Sequence, residues 1–335
     1  MTGEDAGASD WRPTAGLAAL RLRARLYAMF RAFFAERGVL EVETPVLSGA
    51  GNTEPNIEGF TTGFSGHRDA GPPLRWLRTS PEYPLKRLLA AGVGDCYELG
   101  RVFRNGEAGG RHNPEFTMLE WYRVGWDHLR LADETVALVR QALALEGRRA
   151  EVVSTTYREL FVQGAGVDPF AADDAQLRAP LRGFAIGGEG LTRDDWLDLL
   201  MTHVIQPAFP GDRITVVHDW PASQCALAKI REPAPGTDTP PVAERFELYL
   251  GRFELANGYH ELTDAAEQRR RFQRDQVVRT GRGAPVPPLD ERLLAALHAG
   301  LPGCAGVALG VERLLMALAG TDRIGDVLAF DFARA

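Results

Sequence analysis

The sequence predicts an α+β fold organised on an antiparallel sheet. Three observations carry the prediction. Strand-like runs come as neighbours along the chain, at 96–103 with 116–123 and at 246–250 with 253–256. Helical patterns are bunched between groups of strands instead of alternating with single strands. The glycine-rich signatures of phosphate-binding α/β folds are missing: there is no GxxxxGK[ST], and no GxGxxG between a strand and a helix.

The elements follow in order. Residues 17–37 place Leu22, Leu26, Met29, Phe30 and Phe33 at helical spacing, with arginines on the other face. Gly38 is the expected stop. VLEVETPVL alternates as a strand that ends at Pro45. Asn52 to Pro73 is rich in Gly, Thr, Pro and Ser and predicts turns with short strands. Leu85–Ala91 predicts a short helix. Cys96–Phe103 and Phe116–Arg123 predict a long hairpin with a glycine-rich tip. Helices are expected over Leu129–Leu145 and Trp196–Val204, and a strand over Ile214–Val217. Residues 231–241 read as a loop, Phe246–Leu250 and Phe253–Ala256 as strands around Gly251. Ala265–Thr280 is a charged helix and Leu289–Ala299 another. The uncharged stretch Leu293–Val311 is broken by Pro302 and four glycines, so it reads as a helix end, a turn and a buried strand and not as a membrane span. No repeat or low-complexity block occurs.

Composition bounds the function. The 335 residues, 45 % hydrophobic, can bury a large core within one enzyme domain or two. A net charge of −7 argues against broad nucleic-acid binding, which leaves a basic footprint. Cys96, Cys225 and Cys304 are odd in number and lack metal-ligand spacing, which predicts reduced thiols. Residues 1–10 show no signal-peptide pattern, so a cytoplasmic protein is expected.

Three clusters carry chemistry. In FRNGEAGGRHNPEFTMLEWYR (103–123), Arg104 stands at a strand end where its fork could hold a phosphate oxygen, although taken alone a surface arginine at a hairpin end is the favoured reading. His112 on its own is a turn or packing residue. In ERFELYLGRFELANGYHELTD (244–264), a tight turn at Leu250-Gly251 would set Glu247 directly opposite Glu254. Opposed like charges are destabilising. Either a divalent cation such as Mg²⁺ compensates them, or both lie in water. In GVALGVERLLMALAG (306–320), a glycine-spaced strand feeds a helix start bearing Glu312-Arg313, a place for an anion or for a simple ion pair.

Together these clusters resemble motifs 2 and 3 of the class II aminoacyl-tRNA synthetases, with 38–45 resembling motif 1. RHNPEFTMLEWY and ELANGYHELTD are most similar to lysyl-tRNA synthetases. The ordered blocks GVLEVETP, SPEY-x-x-KRLL, HNPEFTMLEWYR, PASQ, AERFE and GVALGV-E-R are more similar still to the short paralogues that attach lysine or β-lysine to translation elongation factor P. The resemblance spans about 17–335 and is weak over 146–215. It implies one class II synthetase-like catalytic domain over 1–335, with a flexible segment 1–16 and a variable insertion 146–215. It implies ATP and Mg²⁺. Arg104 and Arg313 would be the catalytic phosphate arginines, on the α- and γ-phosphates. Asn105, Gly106, Asn113, Glu254, Leu255 and Gly310 would complete the ATP site, and Glu247 and Glu254 would hold the metal. Ser80, Pro81, Glu82, Glu120, Tyr122, Asn257, Tyr259, Glu261 and Ala308 would line the amino-acid pocket. One departure stands out: where the family's motif 2 has Arg-x-Glu, this chain has Gly106, followed by Glu107.

The chemistry agrees with that layout. A lysine-type amino acid has two ammonium groups that need carboxylates once out of water, and adenylation builds charge on phosphate oxygens. Sixteen residues before the first helix cannot hold a five-stranded anticodon-binding barrel. The expected acceptor is therefore a lysine of elongation factor P, with no stable tRNA binding, no membrane and a homodimer through motif 1. Ala308, where lysyl-tRNA synthetases typically have glycine, would favour a shifted amino group such as that of (R)-β-lysine. The alternatives are charging of tRNA or another small acceptor, and a catalytically inactive regulatory paralogue, the reading that Gly106 would favour.

Overall fold

The computed structural model describes residues 11–187, 190–237 and 239–335. α1 (Leu17–Ala35) buries the predicted stripe of Leu22, Leu26, Met29, Phe30 and Phe33. Gly38 follows at φ +67°, a conformation that favours glycine and lets the chain reverse. VLEVETPVL is not one strand. It yields two fragments, β1 (Leu40–Glu41) and β2 (Leu47–Ser48), which belong to different sheets. Pro45 lies in the crossover between them, where its missing N–H costs nothing. β2 pairs with β4 (Leu74–Leu77), which pairs with β3 (Thr61–Gly63), in a small sheet.

α2 (Glu82–Ala90) starts three residues earlier than predicted, because Ser80 Oγ accepts from the Glu82 N–H at 2.9 Å. β5 (Cys96–Phe103) and β6 (Glu115–Val124) form the expected hairpin, in register from Cys96↔Tyr122 to Phe103↔Glu115. α3 (His128–Ala144) follows. Among its described residues, the stretch without motifs forms β7 (Glu151–Thr156), α4 (Tyr157–Ala165), α5 (Asp174–Arg178) and α6 (Arg193–Leu200). Its core of Tyr157, Phe161, Trp196 and Leu200 packs on Val217 and Trp220 of β8 (Arg213–Pro221). Then come β9 (Ile230–Arg231), β10 (Val242–Leu250), β11 (Phe253–His260), α7 (Ala265–Gly281), α8 (Glu291–Gly300), β12 (Cys304–Gly310) and α9 (Val311–Ala319).

The main sheet runs β1-β5-β6-β12-β11-β10-β8-β7, with β9 also on β10. Its pairings are antiparallel apart from β1–β5 and β7–β8, which are parallel. One face packs on α1, α3 and α9 through Phe30, Leu119, Trp121, Leu138, Val307, Leu309 and Leu315. A fully buried side chain of this kind contributes about 1.5–3 kcal/mol. Strand alternation turns the residues between them, Glu120, Tyr122, Gly306 and Ala308, to the other face.

The predicted flexible segment 1–16 lies partly outside the described residues. Its far end is anchored: Thr14 and Ala15 donate backbone hydrogen bonds to Ala329 and Leu328, at 2.7 and 3.0 Å. No described helix is long and apolar enough to cross a membrane.

Candidate active site

The polar face of the sheet lines a cavity of about 820 Å³. One wall, loop 51–58, is fixed from α7. Arg279, 1 % exposed, donates to the carbonyls of Thr53, Glu54 and Ile57 and pairs with Glu58 at 3.2 Å. A guanidinium has enough donors to hold several carbonyls at once.

A β-bulge shapes the floor. β10 and β11 pair as Glu247↔Asn257 and Leu248↔Ala256, then Tyr249↔Glu254 and Leu250↔Phe253. Leu255 is the extra residue on β11. It and Ala256 both enter the core, so Glu254 and Asn257 both line the cleft. The expected face-to-face pairing of Glu247 with Glu254 is therefore wrong. The turn is Gly251-Arg252, and the bulge at Leu255 shifts the register by one residue.

The amino end of the cleft is rich in carboxylates. Glu120, 2 % exposed, accepts from Ser80 Oγ at 2.7 Å and from the Tyr122 hydroxyl at 2.8 Å. Burial pushes its carboxyl up to about 8, and the charge of Glu82 adds to the rise. Lys86, 1 % exposed, sits between Glu82 and Glu261, with 2.6 Å to an oxygen of each. Glu261 is also pushed up to about 8 by its burial, against the pull of Lys86. Two of the three carboxyls thus share one ammonium, and the third, Glu120, is held by two hydroxyls. Asn257 Oδ1 is buried without a hydrogen-bond partner. Tyr259 and Ala308 line the same end, and Ala308 stands between Glu120 and Asn257 in the sheet. At Gly306 an added Cβ would lie 2.2 Å from Tyr122 Cε1 and 2.5 Å from Glu261 Oε1, so the floor has room only for glycine.

The other end is cationic. Arg104 directly follows β5. Its Nε is buried without a partner, Nη1 is 3.7 Å from Glu107, and the guanidinium lies over the Phe116 ring. Burial lowers its pKa. Arg313, in the first turn of α9, donates to the Glu254 carbonyl at 3.1 Å and lies 3.2 Å from its carboxylate. Its Nη2 is 3.1 Å from His112 Nε2. Burial and the charge of Arg313 hold His112 below its usual pKa, so at neutral pH the imidazole accepts.

The remaining sequence candidates divide. Glu254, Leu255 and Gly310 line the cavity, but Pro81, Asn105, Gly106 and Glu247 do not. Asn113 reaches the wall, yet its side chain is committed elsewhere: it donates to the Glu115 carbonyl at 2.6 Å and accepts from the Phe332 N–H at 2.9 Å. Gly106 has φ +79° and turns Glu107 onto the cavity wall beside Arg104. Glu247 is buried behind Arg245, with Arg245 at 2.5 Å and the Tyr249 hydroxyl on its two oxygens. Burial, then Glu254, raise its carboxyl to about 7. A hard cation would meet Glu254 at the cavity surface. It would reach Glu247 once Arg245 yields, and would relieve the repulsion between the two glutamates.

Sequence reasoning missed Lys86 and Arg245. A signal existed for Lys86, which is four residues after Glu82 on the buried stripe of Leu85 and Leu89.

The family of class II tRNA synthetases (D, K and N) matches residues 8–334. Curated relatives match along nearly their whole length. A protein from Proteus mirabilis is 46 % identical over 330 residues, covering 98 % of this chain and 99 % of the relative. One from Mannheimia succiniciproducens is 48 % identical over 321 residues, covering 96 % and 97 %. One from Klebsiella pneumoniae is 47 % identical over 330 residues, covering 98 % and 99 %. Each is named elongation factor P–(R)-β-lysine ligase.

Proposed function

We propose that this chain, which belongs to the family of class II tRNA synthetases (D, K and N), is an ATP-dependent ligase that adenylates (R)-β-lysine or lysine and transfers it to a lysine of translation elongation factor P. The observation that carries the reading is the charge division of one cleft, with Glu82, Glu120 and Glu261 and only Lys86 to offset them at one end, and Arg104 and Arg313 at the other. An aminoacyl-adenylate with two ammonium groups has the complementary division.

The residue roles follow from that fit. Glu82, Glu120 and Glu261 hold the ammonium groups, with Asn257 Oδ1 as a further acceptor, and Ser80, Tyr122 and Tyr259 shape the pocket. Arg104 supplies the unpartnered Nε to the α-phosphate, and Arg313 turns from Glu254 to the γ-phosphate. Glu254, with Glu247 behind it, would hold Mg²⁺, which offsets charge on the phosphate chain when bound. Glu107 serves the adenine end in place of the missing motif 2 glutamate. In the first step a carboxylate oxygen of the amino acid bonds to the α-phosphorus and pyrophosphate leaves. In the second, the acceptor amine bonds to the carbonyl carbon, AMP leaves and the amine loses a proton. Preorganised arginines stabilise the charge as it develops.

We further read the exposed Leu40, on the strand that packs beside α1, and the exposed Leu47 as part of a homodimer contact. The test of the activity is incubation with ATP, (R)-β-lysine and elongation factor P, then intact mass. The factor should gain one lysyl unit. No gain, together with efficient charging of tRNA, would overturn the assignment.

A further inference from the structure

On the sheet face away from the cleft lies a second cluster that the ligase chemistry does not use. His260 is next to Glu261 on β11, and alternation sends its side chain to the opposite side. There it meets Glu244 at the start of β10 and His128, the first residue of α3. One ligating atom from each of His128, Glu244 and His260 lies within 4.8 Å of the others. His128 is 2 % exposed, and neither of its ring nitrogens has a hydrogen-bond partner. Asp219 Oδ1 lies 3.9 Å from its Nε2, too far for a hydrogen bond. A buried imidazole with both nitrogens unsatisfied costs stability unless something fills the gap.

We propose that His128, Glu244 and His260 bind a borderline divalent transition metal, Zn²⁺ by donor chemistry, in a site separate from the adenylation cleft. Two imidazoles and a carboxylate, with water in the fourth position, are a characteristic zinc set, and hard alkaline-earth ions disfavour the nitrogens. Glu244 Oε2 is already 2.6 Å from His260 Nδ1. Asp219 is held by Arg231 at 2.6 Å and faces His218 at 3.4 Å, so it stands at the margin. Two cationic side chains oppose the ion. Lys229 Nζ is 3.1 Å from His260 Nε2, and Arg231 lies 3.5 Å from Glu244. Metal entry must displace the Lys229 ammonium, which gives the proposal a test of opposite sign.

The probe is Co²⁺, whose visible absorption reports nitrogen ligation in a low-coordinate site and distinguishes it from the all-oxygen glutamates of the cleft. The full chain should bind one equivalent with such a band, and Zn²⁺ should displace it. His128→Asn and His260→Asn should each weaken binding by at least about tenfold. Lys229→Met should tighten it, and tests the site even if a histidine variant fails to fold. The proposal falls if neither the native chain nor Lys229→Met shows the band. It also falls if the band survives in folded His128→Asn and His260→Asn.

Discussion

Binding of the amino acid should release protons, and affinity should rise with pH. Glu120 and Glu261 are both pushed up to about 8 in the empty cleft, chiefly by burial. The pair titrates together, and at pH 7 it still retains protons that a carboxyl in water would have lost. A carboxylate can pair with a substrate ammonium only after losing that proton, which costs about 1.4 kcal/mol per pH unit below 8. Between pH 6 and 7.5 the substrate amines stay charged, so the dissociation constant should fall about tenfold per pH unit for one linked group. Linkage of both groups would bring that to about a hundredfold. The assay is calorimetric titration with (R)-β-lysine in two buffers of different ionisation enthalpy. At pH 7 the difference should report release of about one to two protons. A pH-independent affinity with equal apparent enthalpies in both buffers would refute the reasoning.

The same carboxyls set a stability trend in the opposite direction. Their pKa values are higher folded than unfolded, so the folded chain binds more protons between about pH 4.5 and 8. Unfolding free energy of the empty protein from this source falls as pH rises through that window. Saturating amino acid should flatten the fall, because ammonium groups then accompany the ionised carboxylates.

Three further outcomes are expected. Lys86→Met leaves Glu82 and Glu261 without their ammonium and should cost about 3–5 kcal/mol in denaturant unfolding at pH 8, less at pH 5 where Glu261 is protonated; an equal loss at both values would contradict the ion-pair explanation. Gly306→Ala forces a methyl against Tyr122 and Glu261, so overpacking of about 1–3 kcal/mol should appear as weaker amino-acid binding with an unchanged Km for ATP, and unaltered amino-acid affinity would count against this floor. Arg313→Ala should lower lysine-dependent ATP–pyrophosphate exchange by about a hundredfold or more while thermal unfolding stays close to native; a native exchange rate would remove Arg313 from the phosphate site.

How far the site was legible in the sequence depends on how local each determinant is. β6 and β12 separate a core from a cleft, and their period of two already pairs Glu120 with Tyr122 and Gly306 with Ala308. The same arithmetic fails on β11, because one bulged residue, Leu255, turns two consecutive side chains inward. That bulge is fixed by pairing with β10, itself paired to β8, and no local pattern encodes it. VLEVETPVL fails for a related reason: its alternation is genuine, but its partners belong to two different sheets.

Buried cations were the least legible. Lys86, Arg245 and Arg279 look like solvated charges in their own segments. Each is wholly or mostly buried against a group brought from another segment: Glu261 for Lys86, the Gln224 carbonyl for Arg245 and the Thr53 carbonyl for Arg279. Gly106 is the converse case. Read as a lost glutamate it favoured an inactive chain, whereas its left-handed backbone sets Glu107 beside Arg104. In both cases the residue's identity was plain and its partner was not. The cleft follows the same logic, since Lys86 offsets one carboxylate and burial holds protons on Glu120 and Glu261 until a further cation arrives. A dicationic substrate therefore completes an electrostatic arrangement that the protein alone leaves unfinished, and that is why affinity, proton release and stability should move together.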